Sequence, residues 1–186
     1  MEGDARARLL DLLKTRAFAR RRVVLASGRE SDFFIDCKQA VLSAEGHALT
    51  GAVLFEELSH LPHCVAVAGV ELGGCPLASA VALTSFLKEA PLDAIYVRKD
   101  IKDHGSARLL EGSASLAEGA PVALLEDVVT TGGSTLKAAS KLREAGYVVV
   151  GVIALVDRLE GGRDAIESAG LTLRALYTRN DFIPAG

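Results

Sequence analysis

Short apolar runs, separated by stretches of helical composition, constrain this chain more than any other feature. Residues 65–68, 94–97, 122–125 and 148–156 are rich in Val, Ala, Ile and Leu and are bounded by turn-forming or charged residues, as buried strands are. Helical segments at about 77–88 and 136–145 separate the first run from the second and the third from the fourth; a final run, 171–177, follows a short helix near 164–168. Strand–helix alternation of this kind predicts an α/β fold with a mostly parallel central sheet flanked by helices on both faces. Upstream, residues 4–18 place Leu9, Leu10, Leu12, Leu13 and Phe18 on one side of an expected helix. Residues 23–26 and 32–36 read as two strands around Ser27-Gly28, and Ser43 is placed to cap a helix running to about Leu58. The expectation is one domain over 1–186, with helix and hairpin elements over about 1–40 forming a small hood on a core sheet over about 60–178.

In an open parallel sheet, ligands bind beyond the carboxyl ends of the strands. The segments that follow the runs should therefore meet along one edge. The most telling is VALLEDVVTTGGS, from Val122 to Ser134. Its apolar start reaches two carboxylates, Glu126 and Asp127, then Val128 and Val129, then Thr130, Thr131, Gly132, Gly133 and Ser134 ahead of a helix. A glycine- and hydroxyl-rich turn at a helix N-terminus presents backbone N–H groups and a positive dipole to one anion. The turn has no lysine and matches neither the nucleoside-triphosphate loop nor the dinucleotide fingerprint, which suits a terminal monophosphate. Carboxylates would repel a phosphate at contact distance, so Glu126 and Asp127 should reach past it, towards hydroxyls such as those of a ribose or towards a bound divalent cation.

Three further segments fall on the same edge. RKDIKDHG carries Arg98, Lys99, Lys102 and His104, a density of cations suited to a leaving diphosphate, and a lid there would exclude water. Glu71, Leu72, Gly73 and Gly74 form a turn into a helix with Pro76 near its first position, able to bring backbone N–H groups to the same diphosphate. Arg158 has two readings, an anionic base or carboxylate, or an ion pair with Asp157 or Glu160.

A formal net charge of −3 argues against nucleic acid as the main partner. Cys37, Cys64 and Cys75 form no CxxC pair and read as buried thiols of a reducing cytoplasm. His47, His60 and His63 lack metal-ligand spacing. Neither a signal peptide nor a membrane span is expected.

VALLEDVVTTGGST resembles the phosphoribosyl-diphosphate (PRPP) motif of the type I phosphoribosyltransferases. Four more segments are similar, within that group, to the orotate phosphoribosyltransferases: SGRESDFFIDCK (27–38), GVELGGCPLA (69–78), YVRKDIKDHG (96–105) with LLEG (109–112), and VDRLEGG (156–162). The resemblance spans most of the chain. It implies transfer of the 5-phosphoribosyl group from PRPP to orotate, with Mg²⁺ held mainly by substrate and no dedicated protein ligands. By matching position, Lys102, His104 and Asp127 are implied in catalysis. Arg98, Lys99, Lys102 and His104 are implied at the diphosphate, Glu126 and Asp127 at the ribose hydroxyls, and Thr130 to Ser134 at the 5-phosphate. Thr130, Arg158, Phe33 and Phe34 are implied at orotate. A homodimer is implied too, with the 98–105 lid serving the neighbouring subunit. Many members carry a lysine where this chain has Ala26, and some carry Tyr-Lys where it has Leu72-Gly73; Arg29 is one candidate to compensate. The rival readings are a purine-base phosphoribosyltransferase, disfavoured by Arg158 and the SGR segment, and a nucleotide-sensing regulator, disfavoured by the acidic balance.

Overall fold

The computed structural model describes residues 2–24, 30–99 and 109–183. The chain opens with α1 (Glu2–Arg16), which buries Leu9 and Leu13, one turn apart, and ends on Lys14 and Arg16 where the helix dipole favours cations. The helix stops short of Phe18, which instead begins β1 (Phe18–Val24). Its ring lies 5.1 Å from that of Phe33 and 5.5 Å from that of Phe182, so tertiary packing of three aromatic rings decides the boundary. The start of β1 lies ahead of the expected residue 23 because Arg20, Arg21 and Arg22 mask a strand as a charged run. β1 pairs antiparallel with β2 (Glu30–Ile35). After α2 (Lys38–Val41) comes α3 (Ala44–Glu57), capped as expected by Ser43, whose hydroxyl oxygen accepts the Gly46 N–H at 3.1 Å.

The core continues with β3 (Ala66–Val70), α4 (Gly74–Leu87), β4 (Asp93–Val97) and β5 (Leu110–Glu111). It is completed by β6 (Pro121–Val129), α5 (Gly133–Glu144), β7 (Val148–Asp157), α6 (Gly162–Ser168), β8 (Leu173–Thr178) and α7 (Arg179–Phe182). The six-stranded sheet has the order β5-β4-β3-β6-β7-β8 and is parallel except for β5, a two-residue strand within LLEG that had no apolar signature. Pro76 is the third helical residue of α4 rather than the first, still within the turn whose N–H groups need no helical acceptor.

β6 explains why the apolar runs are continuous instead of alternating. Ala123 and Leu125 face a cluster with Leu9, Leu54 and Leu77 of α1, α3 and α4, whereas Val122 and Leu124 face Ala138, Leu142 and Ile166 of α5 and α6. Both faces of the strand are dry. Because α4 and α5 cover opposite faces while β3 and β6 are neighbours, the turns after those strands diverge and leave a crevice between them. Among the described residues no helix is long and apolar enough to cross a membrane.

Candidate functional site

The crevice between β3 and β6 gathers most of the residues marked out by sequence. Glu126 and Asp127 lie inside β6, not beyond it: the strand runs on to Val129, held by pairing of Glu126 with Ala154 and Val128 with Val156 of β7. The expected strand end at Leu125 was therefore early, because two carboxylates break an apolar pattern without breaking the ladder. Successive strand residues point to opposite faces, and the two acids follow that rule. Glu126 is buried on the α5 side, where its Oε2 accepts the hydroxyls of Thr135 at 3.0 Å and Ser134 at 3.2 Å. Asp127 is half-buried on the α4 side, where it accepts the Val128 N–H at 2.9 Å and its carboxylate fills the space a Cβ at Gly73 would take, 2.0 Å away.

Burial, and then the charge of Asp127, raise the Glu126 carboxyl well above its ordinary value, against the lowering effect of the two hydroxyls. Burial raises Asp127 as well, opposed first by the positive charge of Lys38. Lys38 is in turn raised by its hydrogen bond to Asp36, at 2.6 Å. Burial thus favours the neutral form at both of these adjacent carboxyls.

The turn after β6 leads into a helix N-terminus with free backbone N–H groups. Gly132 adopts φ 79°, which side chains disfavour, and the Gly162 carbonyl oxygen would stand 3.0 Å from a Cβ there. α5 begins at Gly133, earlier than the expected residue 136. Its first helical bond at this end is Leu136 N–H to Gly132 O, so the N–H groups of Gly133, Ser134 and Thr135 have no acceptor within the helix. Thr131 and Ser134 are exposed and Thr130 is half-buried. The hydroxyl of Ser134 serves Glu126, and that of Thr135 is buried on the same carboxylate. These two residues therefore have only their backbone N–H groups left to offer a ligand. Val128 and Val129 pack against the apolar clusters, and the Val129 carbonyl accepts the Arg158 N–H at 2.9 Å.

Across the crevice, Glu71 accepts the Lys99 N–H at 2.8 Å, while Leu72 is exposed and Gly74 is tightly buried against the backbone of Gly69 and Leu125. Arg98 pairs with Glu111 at 3.3 Å. Lys102, His104, Ala26 and Arg29 lie outside the described residues.

Arg158 is buried and pairs with Glu160 at 2.9 Å, not with Asp157, which binds Arg163 at 3.3 Å. Its Nη2 also donates to the Phe33 carbonyl at 3.0 Å, tying the hairpin to the end of β7. Phe33 itself is fully buried, its ring packed against those of Phe18 and Phe182. Phe34, on the opposite side of the strand, carries the Arg21 guanidinium 3.8 Å from its ring centroid.

The sequence reading missed two cations. Lys38 follows Cys37 in FIDCK, and Lys141 of α5 donates to the carbonyls of Arg98 and Lys99. A cavity of about 320 Å³ between β4 and α5 is lined by Arg98, Lys99, Ser134, Lys137 and Lys141 together with apolar residues. A larger concavity, about 950 Å³, opens at the other end of the strands beside Val65 and Leu92, away from the acidic pair. Among the described residues no three His, Cys, Asp or Glu side chains converge to hold a metal.

Residues 54–170 match the model of the phosphoribosyl transferase domain. The orotate phosphoribosyltransferase of Sorangium cellulosum is 70% identical over 182 residues, 98% of this chain and 95% of that protein. The Mycobacterium tuberculosis orotate phosphoribosyltransferase solved with Fe(III) dicitrate superposes with a TM-score of 0.80 at 37% identity, covering 96% of this chain and 99% of that one. A structure of the same enzyme in complex with 5-phospho-alpha-D-ribosyl 1-diphosphate gives a TM-score of 0.77 at 34% identity over 96% and 98% of the two chains. On its sheet order, its crevice and these likenesses, the chain belongs to the phosphoribosyltransferase family and, within it, to the orotate phosphoribosyltransferases.

Proposed function

We propose that the protein transfers the 5-phosphoribosyl group from PRPP to N1 of orotate, forming orotidine 5′-monophosphate and diphosphate. The observation that carries this reading is the placement of Asp127 against Gly73: one carboxylate stands between the β6–α5 anion cradle and the β3–α4 turn. A ribose with its 5-phosphate on the N–H groups of Gly133, Ser134 and Thr135 brings its hydroxyls to the acidic pair and its diphosphate to the 71–74 turn. Asp127 accepts from those hydroxyls, and Glu126 accepts once it has lost its proton. The bond from C1 to the diphosphate oxygen breaks as N1 of orotate bonds to C1 and releases its proton. Charge building on the diphosphate is met by Arg98, Lys99, Lys102 and His104. Orotate binds against Phe34 and Thr130, with its carboxylate on Arg158, whose site at the end of β7 is held by Glu160.

The donor set also fits Mg²⁺. Glu126 and Asp127 would lie near an ion carried on the diphosphate, which would neutralise the leaving group. A second copy of the chain completes the site. Leu83, Phe86 and Leu87 are 57–72% exposed on α4, and Leu72, 63% exposed, lies in the turn before it. Burying that surface in a two-fold dimer sets the 98–105 segment of each chain beside the diphosphate turn of its partner.

Purified protein with PRPP and Mg²⁺ is expected to consume orotate and to leave adenine, guanine, hypoxanthine and uracil unchanged. Turnover of a purine in preference to orotate would overturn the assignment of the base.

A further inference from the structure

We infer that Lys141 is a positioning residue for the cationic segment, fixing the backbone from which Arg98 and Lys99 reach the diphosphate. Its ammonium donates to two consecutive carbonyls, that of Arg98 at 2.7 Å and that of Lys99 at 2.6 Å. These close β4, the strand from which the segment departs. The same peptide is held from the other side, where the Lys99 N–H donates to Glu71 at 2.8 Å. One residue is thereby tied to two elements on opposite faces of the sheet, α5 through its carbonyl and the β3–α4 turn through its N–H. Lys141 is half-buried and, among the described residues, makes no ion pair, so its charge is devoted to these carbonyls. Ammonium-to-carbonyl hydrogen bonds are among the stronger neutral–charged contacts, and two from one donor fix direction as well as distance.

The position of Lys141 on α5 gives the clasp its consequence. It lies two turns beyond Ser134 on the helix whose N-terminus forms the 5-phosphate cradle. The cradle and the root of the diphosphate cations are thus mounted on one rigid rod. This rests on the reading of the site given above.

The test uses Lys141→Met, which keeps the length of the side chain and removes the donor, and Lys141→Arg, which restores two N–H donors. The expected result for Lys141→Met is a KM for PRPP raised about tenfold, equivalent to ~1.4 kcal/mol, with diphosphate inhibition weakened to a similar degree. Inhibition by ribose 5-phosphate, which needs only the cradle, stays at the wild-type value, and Lys141→Arg recovers most of the PRPP affinity. Unchanged PRPP and diphosphate constants in Lys141→Met would overturn the inference. So would equal weakening of ribose 5-phosphate, or a Lys141→Arg variant no better than Met, since either marks a general loss of structure. A wild-type protein without PRPP turnover would instead sink the functional reading.

Discussion

Replacing Glu126 by Gln separates what the acidic pair does for the ligand from what it does to the fold. Burial and the neighbouring charge of Asp127 push the Glu126 carboxyl from 4.5 up to about 8. Between those values the folded chain holds a proton that the unfolded chain has released. Stability from this group is therefore full below about pH 4.5, falls as pH rises through the window, and is lost above about pH 8. At ~1.36 kcal/mol per pKa unit, the upper limit of the effect is about 5 kcal/mol. Gln does not ionise, and its amide oxygen still accepts Thr135 and Ser134 at the distances of 3.0 and 3.2 Å seen for Glu126. Relative to wild type, Glu126→Gln should gain stability from pH 5 to pH 9. If a third of the limit is realised, the difference in Tm between variant and wild type widens by roughly 3–7 °C for a domain of this size. Scanning calorimetry of both proteins at pH 5, 7 and 9, without ligand, reads it directly. A difference in Tm that does not change with pH would refute the argument, because the proton would then not be held by Glu126. The same variant should bind PRPP more weakly, the exchange of stability for function common at strained sites.

Other outcomes follow from the same geometry. Arg158→Ala should raise the KM for orotate by roughly 10- to 100-fold with a smaller change for PRPP; equal changes for both in steady-state kinetics would count against a role at the base. Phe86→Asp places a charge on the apolar side of α4 and should shift the protein from dimer to monomer in analytical ultracentrifugation with loss of turnover. A fully active monomer would remove the shared lid. Asp127→Asn and Lys102→Ala should each be nearly inactive alone. Mixed under conditions of subunit exchange, they should recover about a quarter of wild-type activity, since half the dimers would then hold one intact site; no recovery would place Lys102 in its own subunit's site.

Much of the fold was legible because the sheet is covered on both sides. Val122 to Leu125 and Val149 to Val156 must be apolar in a strand with two dry faces, and such runs stand out even in a single sequence. The boundaries were least legible where function sits. Glu126 and Asp127 belong to a strand whose ladder with β7 overrides their poor strand propensity. Phe18 was assigned to a helix because its neighbours favour one, whereas its partners Phe33 and Phe182 are distant in sequence.

The site was legible as a set of residue types and less so as a set of contacts. The glycine turn and the acidic pair are local in sequence and lie beside one another at the end of β6. The diversion of Ser134 and Thr135 to Glu126 depends on strand and helix lying side by side, and no spacing rule announces it. The missing family cation at Gly73 has a steric counterpart, since Asp127 occupies the space its side chain would need, and Lys38 supplies positive charge to that carboxylate from another element. No feature of the sequence sets Lys141 apart from a solvated helical lysine. Its acceptors are backbone carbonyls more than forty residues away, a kind of partner that leaves no trace in composition.

The most direct measurement is phosphorus NMR of the reaction itself, with protein, PRPP and Mg²⁺, before and after addition of orotate. The PRPP resonances should persist without orotate and, once it is added, convert into equal amounts of free diphosphate and a new phosphomonoester, with orotidine 5′-monophosphate as the product by mass. Decay of PRPP that does not require orotate, or PRPP that survives its addition, would contradict the account.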